Sequence, residues 1–300
     1  MAFRNIYIEN PARLSIKNRQ LVISQDSEYK IPVSDIQSIV IDNLQTTLTA
    51  PTISFLAENQ VALYTCNRQH LPCAVLMPLG NHSRKLQALT LQMETTKRFK
   101  NRMWQKIIKQ KILNQAQCLE FNGRGKVAEL KNIANSVIEG DLTYCESQAA
   151  LIYFRELFGA GFNRREDNVQ NAALNYGYAI IRGIIARDIC AYGFEPALGI
   201  FHRNELNAFN LADDFIEPYR PYVDLWVSQN ILEDERYFLP EHKRDIISLL
   251  FTEVYINNEI QTLTNAVRKT VASFSSCCRT NSIRALKLPQ LLALKAHEYE

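Results

Sequence analysis

No apolar run in these 300 residues approaches the roughly 18 that a membrane-spanning helix requires. The opening MAFRNIYIEN also lacks the basic-then-apolar layout of a secretory signal. Cysteine is sparse and unpatterned: seven residues, an odd number, with no C-x-x-C pair among them. That excludes a disulfide framework or a thiolate zinc site as the organising feature, and the expected compartment is a reducing cytosol. Asn122-Gly123-Arg124-Gly125 has neither the preceding strand nor the lysine of a phosphate-binding P-loop. No repeat or low-complexity tract occurs, which excludes solenoids and disordered arrays.

What is present is an ordinary globular composition, 47% hydrophobic and 22% charged, long enough for two domains and a large core. The net charge of +3 hides an asymmetry. Residues 1–80 carry six basic and six acidic side chains, whereas residues 81–136 carry twelve basic and three acidic. A basic segment on an acid-bearing body suits an enzyme that holds a polyanion, and it equally suits a solvated basic helix.

Residues 1–80 read as a small, mostly β domain. Leu14 and Ile16 precede, and Leu21-Val22-Ile23 follow, a Lys17-Asn18-Arg19-Gln20 turn, which is a hairpin pattern. The run IQSIVI at 36–41 is apolar enough for an interior strand. Residues 50–59 form a short helix, with Thr49 as N-cap and Pro51 in its first turn. A strand is expected from Cys73 to Met77, and Pro78-Leu79-Gly80-Asn81 closes the β part with turn chemistry.

Beyond residue 80 the periodicity is helical. Residues 86–119 read as one long segment with an apolar stripe of Phe99, Met103, Ile107 and Ile112. Its opposite side holds Lys97, Lys100, Lys106, Lys109 and Lys111, with Trp104 interrupting it. Residues 171–192 are the longest apolar helix, and Gly177 and Gly183 point to close helix crossings. Further helices are expected at 222–232, 240–251 and 257–274, followed by a loose tail through 289–300. The fold class is therefore α+β: a small N-terminal mostly-β domain (1–80) followed by a larger all-α domain (81–300).

The stretch GFEPALGIFHRNELNAFNLADDFIEPYRPYVD, residues 193–224, carries the chemistry-bearing side chains. Leu206, Phe209, Leu211, Phe215 and Ile216 recur at helical spacing, which puts Asp214 and Glu217 on one face after His202. Glu205 reads as a first-turn capping acid. Carboxylates suit Mg²⁺ or Mn²⁺ and an imidazole shifts the preference toward Mn²⁺ or Zn²⁺, yet such groups on a helix are more often solvated or packed. Upstream, Thr143-x-x-Glu146 has the form of a capping box, in which the glutamate would serve a backbone N–H.

PALGIFH, eleven residues, then DFIEPYRP resembles the active-site region of the CRISPR-associated spacer integrases, the Cas-one family. The preceding NVQNAALNYGYAIIRGIIARDICAYGFEPALG and CESQAALIYF extend the likeness over residues 144–224. The resemblance implies a Mg²⁺ or Mn²⁺ site built from Glu146, His202 and Glu217, with Asp214 as a further ligand or a support behind one. It implies an enzyme that joins the 3′-OH ends of foreign DNA fragments into the repeat of a CRISPR array. The partners it implies are a second copy of the chain, paired through the β domain, and a central Cas-two dimer in a heterohexamer. Compact length makes the chain resemble the version found with type II systems. Double-stranded DNA would then lie on Lys97, Lys100, Lys106, Lys109 and Arg220, and no membrane is involved. Many relatives have a second acid where this chain has Pro218, which biases Glu217 toward extended angles unless the helix kinks and continues.

Overall fold

In the computed structural model the described residues are 4–68, 70, 72–76, 84–232 and 234–297. The turn expected at Pro78–Asn81 and the strand end at Met77 lie outside them. Contacts divide the chain into two units, Met1–Ser83 and Arg84–Glu300.

The first unit is built from two four-stranded sheets. Strands β1 (Arg4–Ile8), β2 (Arg13–Lys17), β3 (Gln20–Ser24), β4 (Glu28–Pro32), β5 (Ile36–Ile41) and β6 (Thr47–Leu48) precede helix α1 (Ala50–Glu58), with β7 (Ala62–Cys66) and β8 (Pro72–Val75) after it. One sheet runs β1-β5-β7-β8 and the other β4-β3-β2-β6. The β2–β3 hairpin turns at Asn18 (φ 51°) and Arg19 (φ 60°), the left-handed pair a two-residue turn needs. All six residues of β5 are buried, as their apolar run predicts. Thr49 caps α1 by accepting from the Thr52 N–H at 3.4 Å. Ile6, Ile39 and Leu63 of one sheet, Leu14 and Leu21 of the other and Leu56 of α1 share one core.

The second unit is mostly helical: α2 (Lys85–Met93), α3 (Lys97–Phe121), α4 (Val127–Ser136), α5 (Cys145–Phe158), α6 (Val169–Ala191), α7 (Asn210–Ile216), α8 (Arg220–Asn230), α9 (Pro240–Ser248) and α10 (Leu263–Thr280). The single segment expected over 86–119 is two helices, because Thr96 ends the approach and caps α3 through the Phe99 N–H. The α3 stripe is buried as expected, and each such side chain contributes roughly 1.5–3 kcal/mol on leaving water. Gly177 of α6 sits under α8, where an added Cβ would lie 2.5 Å from Val223 Cγ1.

The unit is not all-α. Strands β9 (Thr252–Ile256), β10 (Glu259–Thr262) and β11 (Gln290–Ala296) form an antiparallel sheet in the order β10-β9-β11. Asn257 and Asn258 both take positive φ, so a tight hairpin replaces the start of the helix expected at 257–274. The described part of the tail expected to be loose, up to His297, is largely β11, paired along β9. Pro218 does not unwind the chain either. Glu217 is helical (φ −50°, ψ −48°), and one 3-10 turn, Glu217–Tyr219, joins α7 to α8. The helix expected from 222 begins instead at Arg220, directly after that turn. Losing the proline N–H costs one bond of the ladder, and the tighter turn absorbs it.

Candidate active site

His202 lies on the loop between α6 and α7, and its position follows from Asp214. That carboxylate is fully buried and accepts from the backbone N–H of Ile200 (2.5 Å), Phe201 (3.1 Å) and His202 (3.1 Å). It also meets His202 Nδ1 at 2.8 Å. A carboxylate can only accept, so Nδ1 carries a proton, and in the neutral imidazole Nε2 presents its lone pair. This hydrogen bond holds the His202 pKa above its ordinary value, against the opposing effect of burial. Glycine is required at 199, because an added Cβ would lie 2.2 Å from the His202 carbonyl oxygen. From α3, Trp104 stacks on Phe201 at 4.3 Å between centroids and meets the His202 ring edge-on at 5.7 Å. Asp214 therefore stands behind the imidazole as its support.

Glu146 is in the first turn of α5, but the expected capping box does not form. Asp141 caps the helix: Oδ1 accepts from the Cys145 N–H (2.9 Å) and Oδ2 from the Glu146 N–H (3.0 Å). Two aligned acceptors outcompete one hydroxyl, and the Thr143 hydroxyl turns to the Cys145 sulfur instead. The Glu146 carboxylate is thereby free to reach across to α3.

There it meets Lys111, whose ammonium stands 2.6 Å from Glu146 Oε1 and 2.5 Å from Glu217 Oε2. Lys111 is only 7% exposed. Burial acts to lower its pKa, yet Glu217 and Glu146 outweigh that and leave it raised. Arg220 holds the other Glu217 oxygen, with Nε donating at 2.9 Å, and lies 4.6 Å over the Tyr178 ring. Burial alone would raise the Glu217 carboxyl, but the charges of Arg220 and Lys111 bring it down to about 2. Glu217 Oε2 is buried and receives no aligned hydrogen bond, so only ammonium charge faces it.

The structure thus brings Glu146 and Glu217 together around one cation and sets His202 with Asp214. Among the described residues, no three His, Cys, Asp or Glu side chains stand close enough to hold one ion. Two clefts open here. One of about 440 Å³ is lined by His202, Lys100, Arg203 and Asn207, and one of about 240 Å³ by Glu217, Lys111, Arg220, Arg164 and Tyr178.

The remaining expected residues fall in different places. Lys97 and Lys109 are exposed on α3, and Lys100 is half-buried beside His202. Lys106 is half-buried and donates to the Leu286 carbonyl at 2.5 Å, which ties down its ammonium. Arg220 is committed to Glu217. Asp213 faces away to Arg182 at 2.8 Å. Glu205 caps no helix, because α7 begins at Asn210; it lies exposed in the loop beside Leu206, which is 97% exposed. Lys111, Asp141 and Trp104 carry this site, and sequence reading assigned none of them a role in it. The one signal for Lys111 was its place within the apolar spacing of α3, one residue before Ile112 and four after Ile107.

Carboxylates from two helices, a tautomer-fixed imidazole and a lysine-bearing helix make up the equipment of an enzyme acting on a phosphodiester. The comparisons with known proteins agree with that class. The family model described as CRISPR associated protein Cas1 matches residues 6–237. The CRISPR-associated endonuclease Cas1 of Neisseria meningitidis serogroup C is 42% identical over 306 residues, covering 100% of both chains. A casposase bound to integration product superposes with a TM-score of 0.77 at 19% identity, over 94% of this chain and 92% of that one. A Cas6-RT-Cas1–Cas2 complex gives 0.73 at 17% identity, over 97% of this chain and 36% of that one. The chain belongs to the Cas1 family of CRISPR-associated proteins.

Proposed function

We propose that this chain is the integrase of CRISPR adaptation, joining the 3′-OH ends of foreign DNA fragments into the repeat of a CRISPR array. The observation that carries the reading is the pair of carboxylates, Glu146 of α5 and Glu217 after α7, that share one cation position. Nε2 of His202, which stands apart from the two carboxylates in this structure, would complete with them a donor set of hard oxygens and one imidazole, a chemistry that suits Mg²⁺ or Mn²⁺. The buried Glu217 Oε2, met by charge without an aligned hydrogen bond, is an oxygen suited to a metal. When bound, such an ion polarises the scissile phosphodiester and stabilises the charge gained as a hydroxyl attacks it.

The chain's own residues do the rest. Asp214 holds His202 in one tautomer, and Arg220 keeps Glu217 ionised. Lys97, Lys100 and Lys109 offer charge to the DNA backbone. The first unit, 1–83, pairs two copies of the chain, and the assembly centres on a Cas2 dimer in the cytosol. Support for the Cas2 partner is the likeness to the Cas6-RT-Cas1–Cas2 complex, and for DNA the likeness to the product-bound casposase. No described helix is long and apolar enough to cross a membrane.

A joining assay tests this, using a labelled fragment and a supercoiled repeat-bearing target, with and without Cas2. Labelled target is expected with Mg²⁺ or Mn²⁺ and none from the Glu146→Ala, His202→Ala or Glu217→Ala proteins. Fragment cleavage without joining would assign the site to a plain nuclease.

A further inference from the structure

Resting on that metal-site reading, we propose that Lys111 is a tethered counterion: its ammonium fills the cation position between Glu146 and Glu217 in the metal-free protein and leaves when a divalent ion loads. The geometry is that of a bound cation. Nζ stands 2.6 Å and 2.5 Å from carboxylate oxygens on two separate elements, and the lysine is 7% exposed. Without it, two carboxylates would face each other in a largely desolvated space, an arrangement that repels.

Charge balance argues for displacement. Glu146 and Glu217 are offset by Lys111 and Arg220, so the cluster is already neutral. A divalent ion added beside both cations would leave two uncompensated positive charges in a buried site. One of the two must withdraw, and the structure distinguishes them. Arg220 is fixed by an aligned bond to Glu217 Oε1 and by its seat 4.6 Å over Tyr178. Lys111 donates an aligned bond to Glu146 Oε1 but meets Glu217 Oε2 chiefly by charge, and it ends an unbranched, flexible four-carbon stem. It also lines the cleft of about 240 Å³ beside Glu217, which gives the ammonium somewhere to go.

Two consequences follow. The carboxylates stay close together before metal arrives, so loading needs no rearrangement of α5 or α7. The lysine also competes with every incoming ion, which lowers metal affinity.

The test is Mn²⁺ binding to the full-length chain by titration calorimetry, in wild type and Lys111→Met. The variant is expected to bind roughly tenfold tighter or better, the effect of removing a competing charge. Its metal-free melting temperature should drop, and Mn²⁺ should raise it by more than in wild type. Glu217→Gln should abolish binding in either background. Equal or weaker binding by Lys111→Met, with wild type still binding, overturns the counterion role and leaves the metal site standing. Absence of binding in wild type overturns both. Should Lys111→Met fail to fold, wild type alone decides. Acetylation of Lys111 by a soluble active ester, followed by mass spectrometry, is expected to be slow without metal and severalfold faster with Mn²⁺. Unchanged protection would refute displacement.

Discussion

Trp104 and Phe201 lie face to face, with ring planes 1° apart and centroids at 4.3 Å. The stack fixes the loop that carries His202 onto α3, so the imidazole is positioned by an aromatic contact as well as by Asp214. Trp104→Leu keeps an apolar side chain but removes the stack, which is worth about 0.5–1.5 kcal/mol beyond its area. The expected outcome is a lower denaturant midpoint at unchanged m-value, with joining reduced far more than DNA affinity. Full joining activity in Trp104→Leu would mean that Asp214 alone holds the loop.

Asp141, and not Thr143, caps α5. Asp141→Ala should therefore lower stability by about 1 kcal/mol, up to about 2, whereas Thr143→Ala should change it by less than about 0.5 kcal/mol. Because the same cap anchors the Glu146 backbone, Asp141→Ala should also reduce joining. Chemical denaturation of the two single variants distinguishes the caps, and the reverse order would restore the box read from the sequence.

That reversal marks where sequence reading ran out. The β2–β3 hairpin, the Thr49 cap and the buried β5 were legible because their signals are local. Glu146, His202, Asp214 and Glu217 could be named as candidates because they sit in long, literal matches to a known family. The Asp141 cap was missed because two acceptor types competed within six residues, and only the backbone path decides between them. Lys111 was read as one more charge on a basic helix. Its partners lie on α5 and beyond α7, and no local pattern reports contacts at that separation. The hairpin at Asn257-Asn258 carried a usable signal, alternating Val254-Tyr255-Ile256 before a turn, but helical periodicity further on masked it.

Packing at Gly177 gives a cleaner energetic test. Gly177→Ala would place a Cβ 2.5 Å from Val223 Cγ1, forcing α6 and α8 apart. A loss of about 1–3 kcal/mol is expected, outweighing the gain in helix propensity. Val223→Ala alone should also destabilise by leaving a void. The double variant should be more stable than the sum of the two, and strict additivity would show that the crossing has room to spare.

Asp224 on α8 gives the protein a pH dependence of unusual sign. Burial raises its pKa to about 6, although the Tyr178 and Tyr153 hydroxyls both donate to it. An acid with a raised folded pKa binds more protons in the native state than in the unfolded one. Its contribution is thus a penalty that is absent below about pH 4, grows through about 6, and is fully present above, on the order of 3 kcal/mol. Asp224→Asn should remove this fall in stability between pH 4 and 6, because an amide does not titrate. Denaturation midpoints measured across that window in both proteins check it; parallel curves would mean that Asp224 ionises as freely in the fold as outside it.

The basic face of α3 is narrower than its composition implies, and this separates two sets of lysines. Lys97 and Lys109 are exposed, whereas Lys106 is tied to the Leu286 carbonyl and Lys111 is buried between carboxylates. Of these four lysines, only the exposed pair is free to release counterions when DNA binds. Neutralising Lys97 and Lys109 to glutamine should weaken binding whatever the sequence and flatten the slope of log affinity against log salt by roughly 0.9 per lost phosphate contact. Lys106→Gln should leave that slope unchanged while lowering stability, because it leaves a buried carbonyl with a weaker donor. Fluorescence-anisotropy titrations of a duplex at several salt concentrations separate the two sets. A slope altered by Lys106→Gln but not by the exposed pair would place the DNA on the other side of α3.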